Sequence, residues 1–215
     1  MESAQSCNFL VICPELDVLQ FPTSEEFQLG GIFKNNQIVD STKWTFNYIE
    51  EIFNFLISEN VTTNDSYGIY GHSAGSQFTH RLALFTESKN ASIFISANAG
   101  WYTTIDFNES FPYGLNNAPI NEKELVEKFN YPLTILLGEN DTDPNASSLR
   151  KTEEAMRQGI HRFDRGNYFY NMAKNKASEL GVPFNWKLHT VANVGHSNTG
   201  MAPFAAQIFI SNLNN

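Results

Sequence analysis

Gly71-His72-Ser73-Ala74-Gly75 reads Gly-x-Ser-x-Gly, a pentapeptide that holds a serine hydroxyl at the apex of a strained strand-to-helix turn. A serine so presented is a nucleophile toward acyl groups if a base takes its proton and an acid holds the base. A Cβ on Gly71 or on Gly75 is expected to clash where strand and helix close on each other. With each fixed residue near ~7% in average usage, the bare pattern arises by chance in roughly a few per cent of chains this long, so its surroundings must decide.

Those surroundings fit. Ser66 to Tyr70 is short and aromatic-rich, as a buried strand is, and Ala74 to Phe85 sets Phe78, Leu82 and Phe85 at helical spacing. In this frame the expected chain order is serine, then acid, then histidine. The acid is expected just past a strand end, and Leu133 to Gly138 is followed by Glu139-Asn140-Asp141-Thr142-Asp143-Pro144. Asp141 is the candidate; Asp143, beside Pro144, is the rival and has a turn role as its alternative. Of five histidines, His196 lies in Asn193-Val194-Gly195-His196-Ser197, after the last predicted strand and before the last helix. His189 sits within a strand, His72 is the variable residue of the pentapeptide, His80 follows on its helix, and His161 lies in a helical stretch. Ser73, His196 and Asp141 would then act as nucleophile, base and orienting acid, with the Ala74 backbone N–H as one oxyanion donor.

The elements that must position these residues alternate between strand and helix. Residues 8–13 form a continuous apolar run, read as a strand covered on both faces, and residues 14–40 read as loop. Ser41 or Thr42 caps a predicted helix to about Glu59. Further strands are predicted at 91–96, 132–138 and 184–191, with helices at 121–128, 149–158, 161–180 (ended by Gly181) and 198–213. This pattern predicts a single α/β domain over residues 1–215: a mostly parallel sheet of about five strands with helices on both faces. The stretch 145–180 is longer than a loop needs and is expected to form a helical cap or insertion. Trp101 follows the strand after the pentapeptide and is expected either to line an acyl or aromatic pocket or to pack in the core.

Bulk properties bound the partners. The 215 residues carry 14 Lys and Arg against 23 Asp and Glu, a net charge of −9. An acidic chain without basic clusters argues against nucleic acid. No apolar run reaches membrane-spanning length, and Met1-Glu2-Ser3-Ala4 lacks the layout of a signal peptide. Cys7 and Cys13 have neither metal nor redox spacing, and no ligand cluster of metal spacing appears. The Asn-x-Ser/Thr sequons at Asn60, Asn90 and Asn140 are read as the product of an Asn-rich composition. Compartment and oligomeric state leave no mark in the sequence.

The chain resembles the α/β-hydrolase fold superfamily, and within it the polyhydroxybutyrate depolymerase and feruloyl-esterase-like serine esterases. The resemblance rests on Val11-Ile12-Cys13-Pro14-Glu15, the elbow, Gly100-Trp101-Tyr102, Leu137-Gly138-Glu139-Asn140-Asp141 and Val194-Gly195-His196. It covers nearly the whole chain. It implies hydrolysis of a small-molecule or polymeric carboxylic ester through an acyl-enzyme, without metal or cofactor. Peptidases and acyltransferases use the same groups. The stretch Gln158 to Gly166 looks like a subfamily mark without an evident job, or the charged start of a helix.

One departure stands out. Residues 8–13 correspond to the fourth strand of that fold and residues 2–7 to the tail of the preceding helix. The central third strand, whose following loop gives the second oxyanion N–H, then has no counterpart. The expectation is an α/β-hydrolase fold lacking its N-terminal strands, or else direct pairing of residues 8–13 with the elbow strand. A catalytically silent binding or structural protein on this scaffold is the competing reading.

Overall fold

The structure is a computed structural model, and it describes residues 9–35 and 37–213. A hairpin of β1 (Phe33–Lys34) and β2 (Gln37–Ile38) precedes α1 (Asn47–Ser58). The main sheet contains β3 (Tyr67–His72), β4 (Ala91–Ala97), β5 (Leu133–Gly138) and β6 (Lys187–Val191), all parallel and in the order β3-β4-β5-β6. Each crossover carries helix: α2 (Ala74–Phe85), then α3 (Glu122–Phe129), then α4 (Glu153–Gln158) and α5 (Arg162–Leu180); α6 (Asn198–Leu213) closes the described chain.

Side chains alternate between the two faces of a strand, and the sequences of β4 and β5 exploit this. Phe94 of β4 and Leu133, Ile135 and Leu137 of β5 face one layer, with α2 and α5. Ile93, Ile95 and Ala97 of β4 and Leu136 of β5 face the other, where Met201 and Ala205 of α6 cover them. Both faces being covered, all six residues of β5 are buried, which is why that strand reads as one apolar run. Each large side chain buried in this way stabilises the fold by about 1.5–3 kcal/mol.

Helix ends follow local chemistry. Asn121 and Glu124 form a reciprocal capping box at α3. Gly181 ends α5 in the left-handed region at φ 66°, as predicted for that glycine. The helix expected from Ser41 or Thr42 instead begins at Asn47; a 3-10 turn over Ser41–Lys43 comes first, capped by Asp40, whose carboxylate accepts the Thr42 amide. Trp44, Thr45 and Phe46 between them are buried, so the chain turns inward before helix can start.

The sheet has four strands among the described residues, where about five were expected. Residues 9–13 form no strand, and Leu10, Val11 and Ile12 are exposed. An apolar run becomes a strand only beside a strand edge that takes its hydrogen bonds, and these residues do not pair with β3. Direct pairing with the elbow strand is therefore not what the chain adopts. The helix tail expected at residues 2–7 lies outside the described residues. No helix among the described residues is long and apolar enough to cross a membrane.

Candidate active site

The site stands at the carboxyl ends of β3, β5 and β6, where open parallel sheets place their ligands. β3 ends at His72, and the chain enters α2 through Ser73 at φ 56°, ψ −111°. Positive φ in a residue bearing a Cβ is strained backbone, held here by the Ser73 amide donating to Ala97 O (3.0 Å) and by Ser73 O accepting from the Gln77 amide. The two flanking glycines differ. A Cβ on Gly71 would lie 2.2 Å from Gly75 O, so strand and helix meet there only because that Cβ is absent. A Cβ on Gly75 would meet nothing within 4 Å, which corrects the expectation of a clash at both positions.

The acid loop leaves β5 at Gly138. The Asp141 amide donates to Gly138 O, and the Asn140 amide donates to Val194 O in the histidine loop. Asp141 is buried, 4% exposed. Asp143 is exposed and accepts the Asn145 amide, so it shapes a turn. The histidine loop leaves β6 at Val191 and bends through Asn193 at φ 61° and Gly195.

These loops bring Ser73, His196 and Asp141 together. His196 Nδ1 lies 2.7 Å from Asp141 Oδ2, and His196 Nε2 lies 2.9 Å from Ser73 Oγ. A carboxylate only accepts, so the imidazole proton belongs on Nδ1 and the free lone pair on Nε2 faces the serine hydroxyl. The Ala74 amide opens α2 and is among the helix-start amides that have no acceptor within the helix.

The other histidines are accounted for. His72 is half-buried with its ring 4.7 Å from that of His196; burial first, and then the neighbouring His196, push its pKa down to about 4. Neutral His72 therefore adds no charge beside His196 at neutral pH. His80 is fully buried, donates from Nδ1 to Ser76 O and accepts the Thr103 amide at Nε2; burial holds its pKa well below the usual histidine value. His161 caps α5 by accepting the Asp164 amide, and His189 is exposed on β6.

Trp101 is 3% exposed and packs against Tyr113, with the Arg81 guanidinium 4.2 Å and that of Arg150 5.1 Å from its ring. The indole is thus packed between scaffold groups. Residues 145–180, expected as a helical cap or insertion, contain α4 and α5, and α5 lies against β5, with Gly166 directly over Leu137.

Two residues essential to this geometry escaped the sequence reading. Asn98, 1% exposed at φ 50°, accepts the Gly138 amide at Oδ1 (2.8 Å) and donates from Nδ2 to Gly195 O (3.3 Å). It ties the strand end before the acid to the loop before the histidine; an asparagine directly after a strand was its only signal, since Asn tolerates this backbone region. Arg162 pairs with Asp141 at 3.5 Å. It lies inside the stretch Gln158 to Gly166 that had no assigned job.

Two solved structures resemble the fold over most of the chain. Poly(aspartic acid) hydrolase-1 from Sphingomonas sp. KT-1 is 40% identical, with a TM-score of 0.88, over 91% of this chain and 74% of that one. The poly(3-hydroxybutyrate) depolymerase LpqC from Bordetella parapertussis is 28% identical, with a TM-score of 0.92, over 98% of this chain and 72% of that one. No protein-family model matches the sequence, and no functionally curated protein does either.

Proposed function

Because the chain belongs to the α/β-hydrolase superfamily, alongside poly(aspartic acid) hydrolase and poly(3-hydroxybutyrate) depolymerase, we propose that it is a serine hydrolase of carboxylic esters. The observation that carries this reading is the continuous chain of contacts from Ser73 Oγ through His196 to Asp141, at 2.9 and 2.7 Å.

Ser73 Oγ attacks the ester carbonyl carbon while His196 Nε2 takes its proton. Asp141 holds the ring in the Nδ1–H tautomer and stabilises the imidazolium. The oxyanion that forms points at the Ala74 amide, a donor aimed before the charge develops. Collapse of the tetrahedral species expels the alcohol, protonated from His196. Water, deprotonated by the same imidazole, then releases the acid from Ser73.

The ester is read as monomeric or polymeric. A net charge of −9 repels polyanions at long range, which weighs against an acidic polymer. The similarity to a hydrolase of poly(aspartic acid), an amide-linked polymer, favours amide cleavage as the second reading.

Hydrolysis of p-nitrophenyl acetate and butyrate by the wild type and by Ser73→Ala tests the proposal. Loss of turnover in Ser73→Ala, together with labelling of wild-type Ser73 by a fluorophosphonate, is the expected result. Equal rates and no labelling would leave a silent protein on a hydrolase scaffold.

A further inference from the structure

We propose that Arg162 is a positioning residue for the Asp141–His196 pair, dividing the two carboxylate oxygens so that one is kept for the imidazole. The proposal rests on the serine-hydrolase reading above.

The two oxygens of Asp141 have different partners. Oδ2 faces His196 Nδ1 at 2.7 Å, and Oδ1 faces Arg162 Nη1 at 3.5 Å. The acid side chain is 4% exposed and the guanidinium 2%, so water screens this pair little. A buried carboxylate without a cation tends to take up a proton or to turn toward any donor within reach. With Oδ1 engaged by a fixed positive charge, Oδ2 stays aimed at Nδ1.

Stability alone is a poor reason for this arginine. Its Nη2 donates to Ser148 Oγ at 2.9 Å, and its Nε is buried with no hydrogen-bond partner among the described residues. Apolar replacements of buried ion pairs are often as stable or more so. A desolvated cation set against a single buried carboxylate points to an electrostatic task.

The stretch around it delivers the guanidinium to that place. Gln158 holds Tyr102 by both backbone groups, donating to its carbonyl at 2.8 Å and accepting its amide at 2.9 Å. Gly159 turns at φ 148°, where a Cβ would lie 2.5 Å from that of Asp164. Arg165 donates to the carbonyls of Gly159, Gly100 and Arg150. The Phe163 amide donates to Asp141 O at 3.2 Å, joining the start of α5 to the acid loop. The segment Gln158 to Gly166 thus anchors Arg162 against Asp141.

The groups facing the pair decide the sign of the effect. They are His72 from β3, Tyr102 after β4, Arg162 from α5 and, one turn along α5, Arg165, which faces Arg162. The cation behind Asp141 opposes a second positive charge on the imidazole. Its removal takes that opposing charge away, a change that the acidic limb of kcat/KM reads directly.

The test is the pH profile of p-nitrophenyl butyrate hydrolysis for wild type, Arg162→Gln and Arg162→Lys, with Ser73→Ala as the zero. In Arg162→Gln, kcat is expected to fall about tenfold, with KM within about twofold and the acidic limb raised by about 0.5–1 unit. An unmoved limb in this variant overturns the proposal, whatever happens to kcat. Arg162→Lys keeps the charge and decides the matter if the glutamine variant does not fold. Its limb is expected within about 0.2 unit of wild type, and a displaced limb overturns the proposal. Equal hydrolysis by wild type and Ser73→Ala brings down the hydrolase reading and this proposal together. A fluorophosphonate-labelled, active enzyme with an indifferent Arg162 brings down this proposal alone.

Discussion

Asn98 Nδ2 donates to the carbonyl of Gly195 at 3.3 Å, across 97 residues of sequence and directly before His196. The same side chain accepts the Gly138 amide at the end of β5. One buried amide therefore sets the spacing of the two loops that meet at the imidazole. Asn98→Leu strands the buried Gly138 amide, at a cost of about 1–3 kcal/mol, and takes the donor from the half-buried Gly195 carbonyl. The melting temperature is expected to fall by about 4–10 °C in thermal unfolding. Turnover is expected to fall beyond what the loss of folded protein explains, because the His196 loop loses its register.

Asp141 and Asp143 differ by two residues and by their entire environment. Asp141 is buried between His196 and Arg162, whereas Asp143 is exposed in a turn. Asp141→Asn is expected to lower kcat by about 10³–10⁴, because an amide favours the wrong imidazole tautomer. Asp143→Asn is expected to stay within about twofold of wild type. Steady-state hydrolysis of p-nitrophenyl butyrate by both variants measures the difference, and matching losses would reject the assignment of Asp141.

The two glycines of the elbow should respond in opposite directions. At Gly71 a Cβ would meet the Gly75 carbonyl and the Thr79 hydroxyl, at 2.2 and 2.4 Å. Gly71→Ala is expected to cost more than about 3 kcal/mol in urea unfolding. Gly75 lies in the first turn of α2 with open space around its would-be Cβ. Gly75→Ala is expected to be neutral, or to stabilise by about 0.4–1 kcal/mol through the unfolded chain.

His72 makes stability depend on pH. Its folded pKa, pushed down to about 4 by burial, lies below the usual value of 6.5. Between those values the unfolded chain binds a proton that the folded chain refuses, so stability is lost as pH falls from about 6.5 to about 4 and no further below. Because His72 is only half-buried and water screens it, the loss is about 1 kcal/mol rather than the full conversion of the shift. His80, whose pKa is also lowered by burial, adds in the same direction. His72→Phe is expected to gain on wild type in unfolding free energy as the buffer goes from pH 7 to pH 4.5. A constant gap would reject the account.

Local chemistry in the sequence was enough for much of this protein. The pentapeptide around Ser73, the alternation of strand and helix, the glycine ending α5 and the order Ser73, Asp141, His196 are written in runs of a few residues. The reason is that strand, helix and turn preferences act over such distances. Tertiary structure decided the rest. The sequence already favours Asp141 over Asp143, but its burial and charge partners come from α5 and the histidine loop, which only the packed fold brings up. Only it shows that a Cβ is excluded at Gly71 but not at Gly75, and that residues 9–13 stay out of the sheet. A strand needs a neighbouring edge as well as its own apolar residues. The parts played by Asn98 and Arg162 are likewise invisible in sequence, because each exists only where residues far apart in the chain are brought within hydrogen-bonding or ion-pair reach.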